Sequence, residues 1–542
     1  MYLTTYGYDG NQPPIDLILE EQMMPMRDGV RLYTLIVRPA DKEKVPLILQ
    51  RNPYSGIRPV FQETCDWFYT SFQNGFGFVL QHCRGTARSE GKNLTYQQEE
   101  KDGLDTLDAL CALPYSNGEI YPNGGSYLSS VHLAYLKHAP ACIKGCVLAV
   151  QDDIRYRIAY RNGFLKCGLH GGWFAKMYDI KNTGKNYTED SFRTLPLIDF
   201  SKTVFGEPVS LFDNVLMHPD ENDPYWQTEE GGGNFVDALN NLDVPVLLFT
   251  SWFDIYTGGI IDMWNRMPQK LKEKSALVIT PFDHGYPGGG SKTAYPNAKL
   301  DDVWNDYCQD WINFAAGIKE QPDFVEPGNV KYYRINEGKW VSAERVDDGK
   351  EQKILFLNSD GKLTSNTSAG EVSYIYNPYA PASFKGGCCC NFGGSQEQDP
   401  PNSRYDIKSF LTAPLEESFL MQGKSGVKLT VKSDCEDTCF YVRLSIVHNG
   451  IAHGLRDDIT SICKQYPDYV PGTEVDLEFM MDEIALRFMP GDQIRLDVSS
   501  SAWPHYVPHT NCKGPYALQR QAKIAHNTII TGNSALILNT EA

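Results

Sequence analysis

The chain has 542 residues, 42% of them hydrophobic and 22% charged, the balance of a folded protein with length for about three to four domains. A formal net charge of −18 repels nucleic acid and anionic membrane surfaces, so neither is an expected partner. No apolar run approaches the roughly 18–20 residues that span a bilayer, the first residues carry no basic-then-apolar leader pattern, and the 14 cysteines have no secretory context, so reduced thiols in a cytoplasmic setting are expected.

The first third alternates strand-like and helix-like segments. LILEEQMMPMRDGVRLYTLIVRPAD reads as two strands joined by a turn at Arg27-Asp28-Gly29. VPLILQRNPYS and GFGFVLQHCRG are apolar runs ending in turns, the pattern of buried strands. EEKDGLDTLDALCALP carries Leu104, Leu107, Leu110 and Cys111 at helical spacing and is ended by Pro114. IKGCVLAV is the next strand. Strands alternating with helices imply a mostly parallel sheet covered on both faces.

From 151 to 240 the strand rhythm stops, and aromatics, Arg, Gly and Pro take over, which reads as a helical insertion over the sheet. The rhythm returns in VPVLLFTSWFD and SALVITPFDHG, followed by a helix, DDVWNDYCQDWINFAAG, that ends at Gly317. The segment GIKEQPDFVEPG has two prolines and no Gly/Ser tract, so it reads as a stiff spacer. Beyond it VKYYRI, KILFLN, GVKLTVKS, FYVRLSIVH, VDLEFMM, IRLDVSSS and SALILN alternate apolar and polar residues, as in an all-β sandwich or jelly roll. The expected organisation is a sheet domain at 1–150 and 241–327, a helical cap at 151–240 and a β-sandwich at 328–542.

YPNGGSYLSS, residues 121–130, sets Ser126 between glycines and a helix-like run. A nucleophile elbow reads G-x-S-x-G, and the fifth position here is Leu128, so the pattern alone is weak. The order of the remaining residues adds to it. A sheet that carries a nucleophilic serine places an acid and then a histidine at later strand ends. Asp254 follows VPVLLFTSWF, and His284 follows SALVITPFD. His82, His132 and His138 precede any such acid; His170 and His218 lie in the insertion; the later histidines lie in the β-rich region. Serine needs a base to take its proton, and the base needs an acid to fix its tautomer. The alternative at this point is that each of the three is an ordinary loop residue.

RNPYSG, HCRGTARSEG, GGSYLSS, SWFD and PFDH, in that order, resemble the cocaine esterase and X-Pro dipeptidyl-peptidase family of α/β-hydrolases. PLEESFLMQGKSGVKLTVKSDCEDTCFYVRLSIVH and FMPGDQIRLDVSSSAWPHY resemble that family's jelly-roll domain, so the resemblance runs from about Leu17 to the last strand. It implies an α/β-hydrolase with a helical cap and a C-terminal jelly roll, a Ser126–Asp254–His284 triad, and an oxyanion hole made by the Tyr54 hydroxyl and the Tyr127 backbone N–H. This sequence departs from the family pattern at Ser129, where a glycine is usual, at Pro122, which should break local strand pairing, and at His82, where an Asp is usual. Arg84 and Glu90 are expected to form an ion pair that shapes a loop. The run Cys388–Cys390 lacks the spaced pairs of a zinc site and reads as part of a Gly-rich loop, so no metal or cofactor is expected.

The implied function is a serine hydrolase acting on a small ester, amide or short peptide, in the first place a carboxylesterase. An X-Pro dipeptidyl-peptidase or a cephalosporin-type acylase is the alternative. A peptidase needs a carboxylate for the substrate's amino group; the insertion contains acids, including Asp152, Asp153 and Asp179, and the sequence does not tell which of them face the pocket. A non-catalytic carbohydrate-binding protein is the reading from a different class, and an intact triad argues against it.

Overall fold

The computed structural model describes residues 2–6, 14–54, 68–178, 188–233, 235–284, 304–389 and 393–541. The first strands are β1 (Tyr2–Tyr6), β2 (Ile15–Pro25), β3 (Arg31–Pro39), β4 (Val45–Asn52), β5 (Gly77–His82), β6 (Ser116–Gly125) and β7 (Cys146–Ala149). After a two-residue hairpin in the cap, β8 (Tyr160–Arg161) and β9 (Phe164–Leu165), come β10 (Val246–Phe253), β11 (Ala276–Asp283), β12 (Val330–Arg334) and β13 (Lys339–Ala343). All but the hairpin join one 11-stranded sheet in the order β1-β2-β3-β5-β4-β6-β7-β10-β11-β12-β13. It is parallel from β5 to β12 and antiparallel at both edges. Strands β5, β7 and β10 are buried along their whole length, as their largely apolar sequences require.

Helices α1 (Glu99–Cys111), α2 (Tyr127–Leu136), α3 (Cys167–Tyr178), α4 (Thr257–Arg266) and α5 (Trp304–Ala315) cover the sheet or build the cap. The cap has its own aromatic core of Phe174, Phe192, Phe200, Phe212 and Trp226, which accounts for its aromatic-rich composition.

Three expectations are corrected. Pro122 does not break β6; the strand changes neighbours there. Its ladder to β4 ends at Leu49 opposite Pro122, and its ladder to β7 begins at Asn123 opposite Val147. Arg84 and Glu90 do not pair. The Gly85 N–H donates to the Glu90 carbonyl, and the two side chains diverge from that closed loop. Arg84 reaches Asp28 and the buried Asp102, whose charge needs a cation, while Glu90 pairs with Arg31. Finally, VKYYRI belongs to the large sheet, because Val330–Tyr332 pair in parallel with Leu277–Ile279 and β13 pairs with β12. The sheet therefore extends beyond the expected boundary at 328. Alternation along a strand reports one polar face and is silent on which sheet the strand joins.

The β-rich remainder forms a six-stranded and a four-stranded sheet. The first contains β14 (Glu351–Leu357), β15 (Leu363–Thr364), β16 (Glu371–Tyr376), β18 (Phe419–Ser433), β21 (Val475–Phe488) and β23 (Ala525–Thr540). The second contains β17 (Lys408–Leu411), β19 (Cys439–His448), β20 (Ile451–Ser461) and β22 (Gln493–Ser499). Every pairing within them is antiparallel, and Leu429, Phe479, Leu444 and Leu496 lie in the core. This unit is joined tightly to the rest. The Ile335 N–H donates to the Ala485 carbonyl at 2.9 Å, and the Arg487 N–H donates to the Ile335 carbonyl at 3.0 Å. From the cap hairpin, Arg161 donates to Asp458 at 2.8 Å, to Asp482 at 3.0 Å and to the Met480 carbonyl at 2.6 Å.

Candidate active site

Ser126 sits between the end of β6 and the start of α2, with φ 58° and ψ −130°. For a residue with a Cβ this is a strained backbone, held here because its N–H donates to the Ala149 carbonyl of β7 at 2.8 Å. The turn needs glycine at 124, where a Cβ would lie 2.6 Å from the Leu128 carbonyl oxygen. Ser129 does more than substitute for a small residue. Its buried hydroxyl donates to the Gly124 carbonyl at 2.5 Å and accepts from the Ala149 N–H at 2.9 Å, tying α2 to both strands beneath it.

Asp254 lies just beyond β10 with its side chain fully buried, and His284 lies just beyond β11. The Tyr256 N–H donates to Asp254 Oδ1 at 2.6 Å, which orients the carboxylate. Its Oδ2 is 2.5 Å from His284 Nδ1, and His284 Nε2 is 3.1 Å from Ser126 Oγ. Parallel strands bring the three loops to one end of the sheet. The acid and the hydroxyl, 30 and 158 residues from the histidine in sequence, form one hydrogen-bonded row with it.

That row opens on a cavity of about 450 Å³ lined by Tyr54, Tyr96, Tyr127, Trp173 and Tyr256 among others. The Tyr127 N–H lies in the first turn of α2 and has no partner among the described residues, as befits a helix N-terminus that favours negative charge. Tyr54 follows β4, with its N–H donating to Asn52 Oδ1 at 2.8 Å and its ring edge-on to Tyr127 at 6.3 Å. The Tyr127 hydroxyl turns away from the cavity and donates to Glu99 Oε1 at 2.5 Å, while accepting from the Tyr96 N–H at 2.7 Å. Burial raises the Glu99 carboxyl above its usual range, and the Tyr127 hydroxyl opposes that shift.

The acids named from sequence are elsewhere or undescribed. Asp152 pairs with Arg157 and Asp153 with Arg266, and Asp179 lies outside the described residues. The acid that lines the cavity is Glu189, in a short turn of the cap with no cationic partner among the described residues. Sequence reading also missed Tyr96, Trp173 and His170 as lining residues. Tyr96 gives no local signal except its left-handed φ of 69°, visible only once folded. The Cys388 loop reaches the site's underside. Its Sγ lies 3.6 Å from the carbonyl of Trp252, and burial pushes the thiol up to about 12. Cys390 lies outside the described residues. No group of three or more His, Cys, Asp or Glu is placed to hold a metal among the described residues. Nor is any helix among them long and apolar enough to cross a membrane.

Residues 28–286 match the family model for X-Pro dipeptidyl-peptidase (S15 family), and residues 323–535 match that for the X-Pro dipeptidyl-peptidase C-terminal non-catalytic domain. The chain is 24% identical to the cocaine esterase of Rhodococcus sp. (strain MB1 Bresler) over 94% of its own length and 95% of that protein. An α-amino acid ester hydrolase superposes with a TM-score of 0.81 at 19% identity, covering 97% of each chain. An aminopeptidase from a marine sediment archaeon, Thaumarchaeota archaeon, gives 0.80 at 19% identity, again over 97% of each.

Proposed function

The chain belongs to the X-Pro dipeptidyl-peptidase (S15) and cocaine esterase family of α/β-hydrolases, and from that premise we propose that it is a serine carboxylesterase with Ser126, His284 and Asp254 as its triad. The observation that carries the assignment is the row Asp254–His284–Ser126 at 2.5 and 3.1 Å, opening on an aromatic cavity. His284 Nε2 takes the Ser126 proton as Oγ attacks the ester carbonyl, and Asp254 holds the Nδ1–H and stabilises the imidazolium. The oxyanion accepts from the Tyr127 N–H and the Tyr54 hydroxyl, each worth about 3 kcal/mol in the transition state. The imidazolium returns the proton to the leaving alcohol, and water then releases the acid by the same route. The free thiols among the described cysteines fit the cytoplasmic setting that belongs to this proposal.

Turnover of 4-nitrophenyl acetate tests the assignment. Ser126→Ala and His284→Ala should each lower kcat about ten-thousand-fold or more, and the double variant should be no worse than either alone. Losses that multiply in the double variant, or near wild-type turnover by Ser126→Ala, would remove the triad.

Glu189 favours a second reading. A carboxylate in the cavity without a cation of its own suits a substrate ammonium, and thus an amino-acid ester or a peptide with a free amino terminus. In that case alanine 4-nitrophenyl ester is preferred over 4-nitrophenyl acetate, and Glu189→Gln removes the preference. Equal ratios in the wild type and the variant leave the carboxylesterase reading alone.

A further inference from the structure

Helix α3 brings a second histidine, His170, to the wall of the cavity that holds Ser126 and His284. The helix can sit this close to the cap core because residue 171 is glycine; a Cβ there would fall 1.7 Å from the Phe192 ring. The His170 side chain is packed among aromatic rings, with centroids 6.0 Å from Trp173, 6.2 Å from Phe174 and 6.1 Å from Phe212. The residue is 1% exposed, and its Nε2 has no hydrogen-bond partner among the described residues. His284, by contrast, has both ring nitrogens engaged.

A buried imidazole nitrogen left unpaired is unusual and calls for a partner. The charges that act on His170 are both cationic, Arg155 and Lys166, and burial together with them holds its pKa well below the ordinary range. The ring is therefore neutral, with one N–H donor and one acceptor. Lys166 is committed to the Arg157 carbonyl at 2.7 Å, and Arg155 lies over the Tyr96 ring at 4.1 Å. Being neutral, the His170 ring suits a neutral oxygen group. A hydroxyl fits either ring tautomer, since it both donates and accepts.

We propose that His170 is a specificity-determining residue whose ring hydrogen-bonds a hydroxyl on the aromatic moiety of an ester substrate lying under the cap. The surrounding Tyr96, Tyr127 and Trp173 rings supply the apolar contact for that moiety. The proposal rests on the esterase reading of the cavity.

Two substrate pairs test it, one with the hydroxyl on the acyl side and one with it on the alcohol side. The first is 4-nitrophenyl 4-hydroxybenzoate against 4-nitrophenyl benzoate; the second is 4-hydroxyphenyl acetate against phenyl acetate. The readout is the ratio of kcat/KM within each pair, compared between wild type and His170→Phe. The wild type should favour the hydroxylated member of one pair by about tenfold, and in His170→Phe that ratio should fall to within about twofold of the ratio for chemical reactivity alone. His170→Gln, which keeps a donor and an acceptor, should retain the preference. His170→Phe removes an unpaired buried nitrogen and keeps a ring, so its thermal midpoint should not fall, and that measurement shows the variant to be folded. An unchanged ratio in folded His170→Phe, or no preference by the wild type in either pair, overturns the proposal. Failure of the esterase reading is seen separately, as 4-nitrophenyl acetate turnover that survives Ser126→Ala.

Discussion

The hydroxyl of Tyr127 donates to Glu99 Oε1 at 2.5 Å, so the residue whose backbone N–H is the proposed oxyanion donor has its ring pinned by the first residue of α1. The same carboxylate accepts from the Tyr96 N–H at 3.3 Å and from the Gln98 N–H at 3.0 Å. One buried acid thus sets the floor of the cavity and the position of the proposed oxyanion donor.

Replacing Glu99 with Ala should leave the Tyr127 hydroxyl without its acceptor. The loss should be about 1–3 kcal/mol of stability for each buried group left unpaired. It should also lower kcat by about tenfold or more with a smaller effect on KM, because a displaced oxyanion donor is felt in the transition state. Glu99→Gln keeps the Oε1 acceptor for Tyr127 but sets an NH2 against the Gln98 N–H, so kcat should stay near wild type while stability falls by less than in Glu99→Ala. Urea unfolding and steady-state kinetics on both variants check this. Equal damage by Gln and Ala would mean that charge, not acceptor geometry, is what matters.

Arg161 is the second test point, because it ties the cap hairpin to two acids of the jelly roll. Asp458 is buried, and removing its cation strands the charge. Arg161→Met should therefore destabilise the protein by about 3–5 kcal/mol, the range for breaking a buried pair. Lys101→Ala, at the exposed pair with Glu229, should change stability by less than about 1 kcal/mol. Denaturant midpoints of the two variants give the comparison, and equal midpoints would deny the junction a structural role.

Glu483 supplies a pH dependence. Burial, with Asp482 nearby, raises its carboxyl to about 7 despite Lys424, and its Oε2 has no hydrogen-bond partner among the described residues. The folded state then keeps a proton that the unfolded chain loses near the ordinary glutamate value. Stability should fall as pH rises from about 4.5 towards 7 and level off above it. The full excursion is of order 3 kcal/mol. Glu483→Gln should flatten that part of the stability profile and be the more stable protein at pH 8. A wild-type profile parallel to that of Glu483→Gln across this window would contradict the shift.

Much of this was legible in the sequence for physical reasons. Strands buried on both faces are mostly apolar, so the apolar stretches of VPLILQRN, VLLFTSWF and ALVITPFD point to the parallel core. Loops at the ends of parallel strands emerge on one side, so the order Ser126, Asp254, His284 is compatible with convergence, and the family resemblance is what implies a triad. The failures share a cause. Whether VKYYRI joins one sheet or another, whether Arg84 meets Glu90 or Asp102, and whether Asp152 or Glu189 faces the cavity are all settled by long-range packing. No local pattern encodes those choices. The Ser129 substitution shows the converse: it departs from the family's usual glycine, and its hydroxyl, donating to the Gly124 carbonyl and accepting from the Ala149 N–H, links a helix to two strands.

The central claim is that Ser126 is the nucleophile, and a covalent adduct tests it most directly. The intact protein is treated with a fluorophosphonate, weighed by mass spectrometry and digested to locate the label. The account predicts a single adduct on the peptide carrying Ser126, loss of esterase activity in proportion to labelling, no adduct in Ser126→Ala, and labelling of His284→Ala slowed by about a thousandfold or more. An unlabelled, active wild type, or a label on any other residue that tracks the loss of activity, would contradict it.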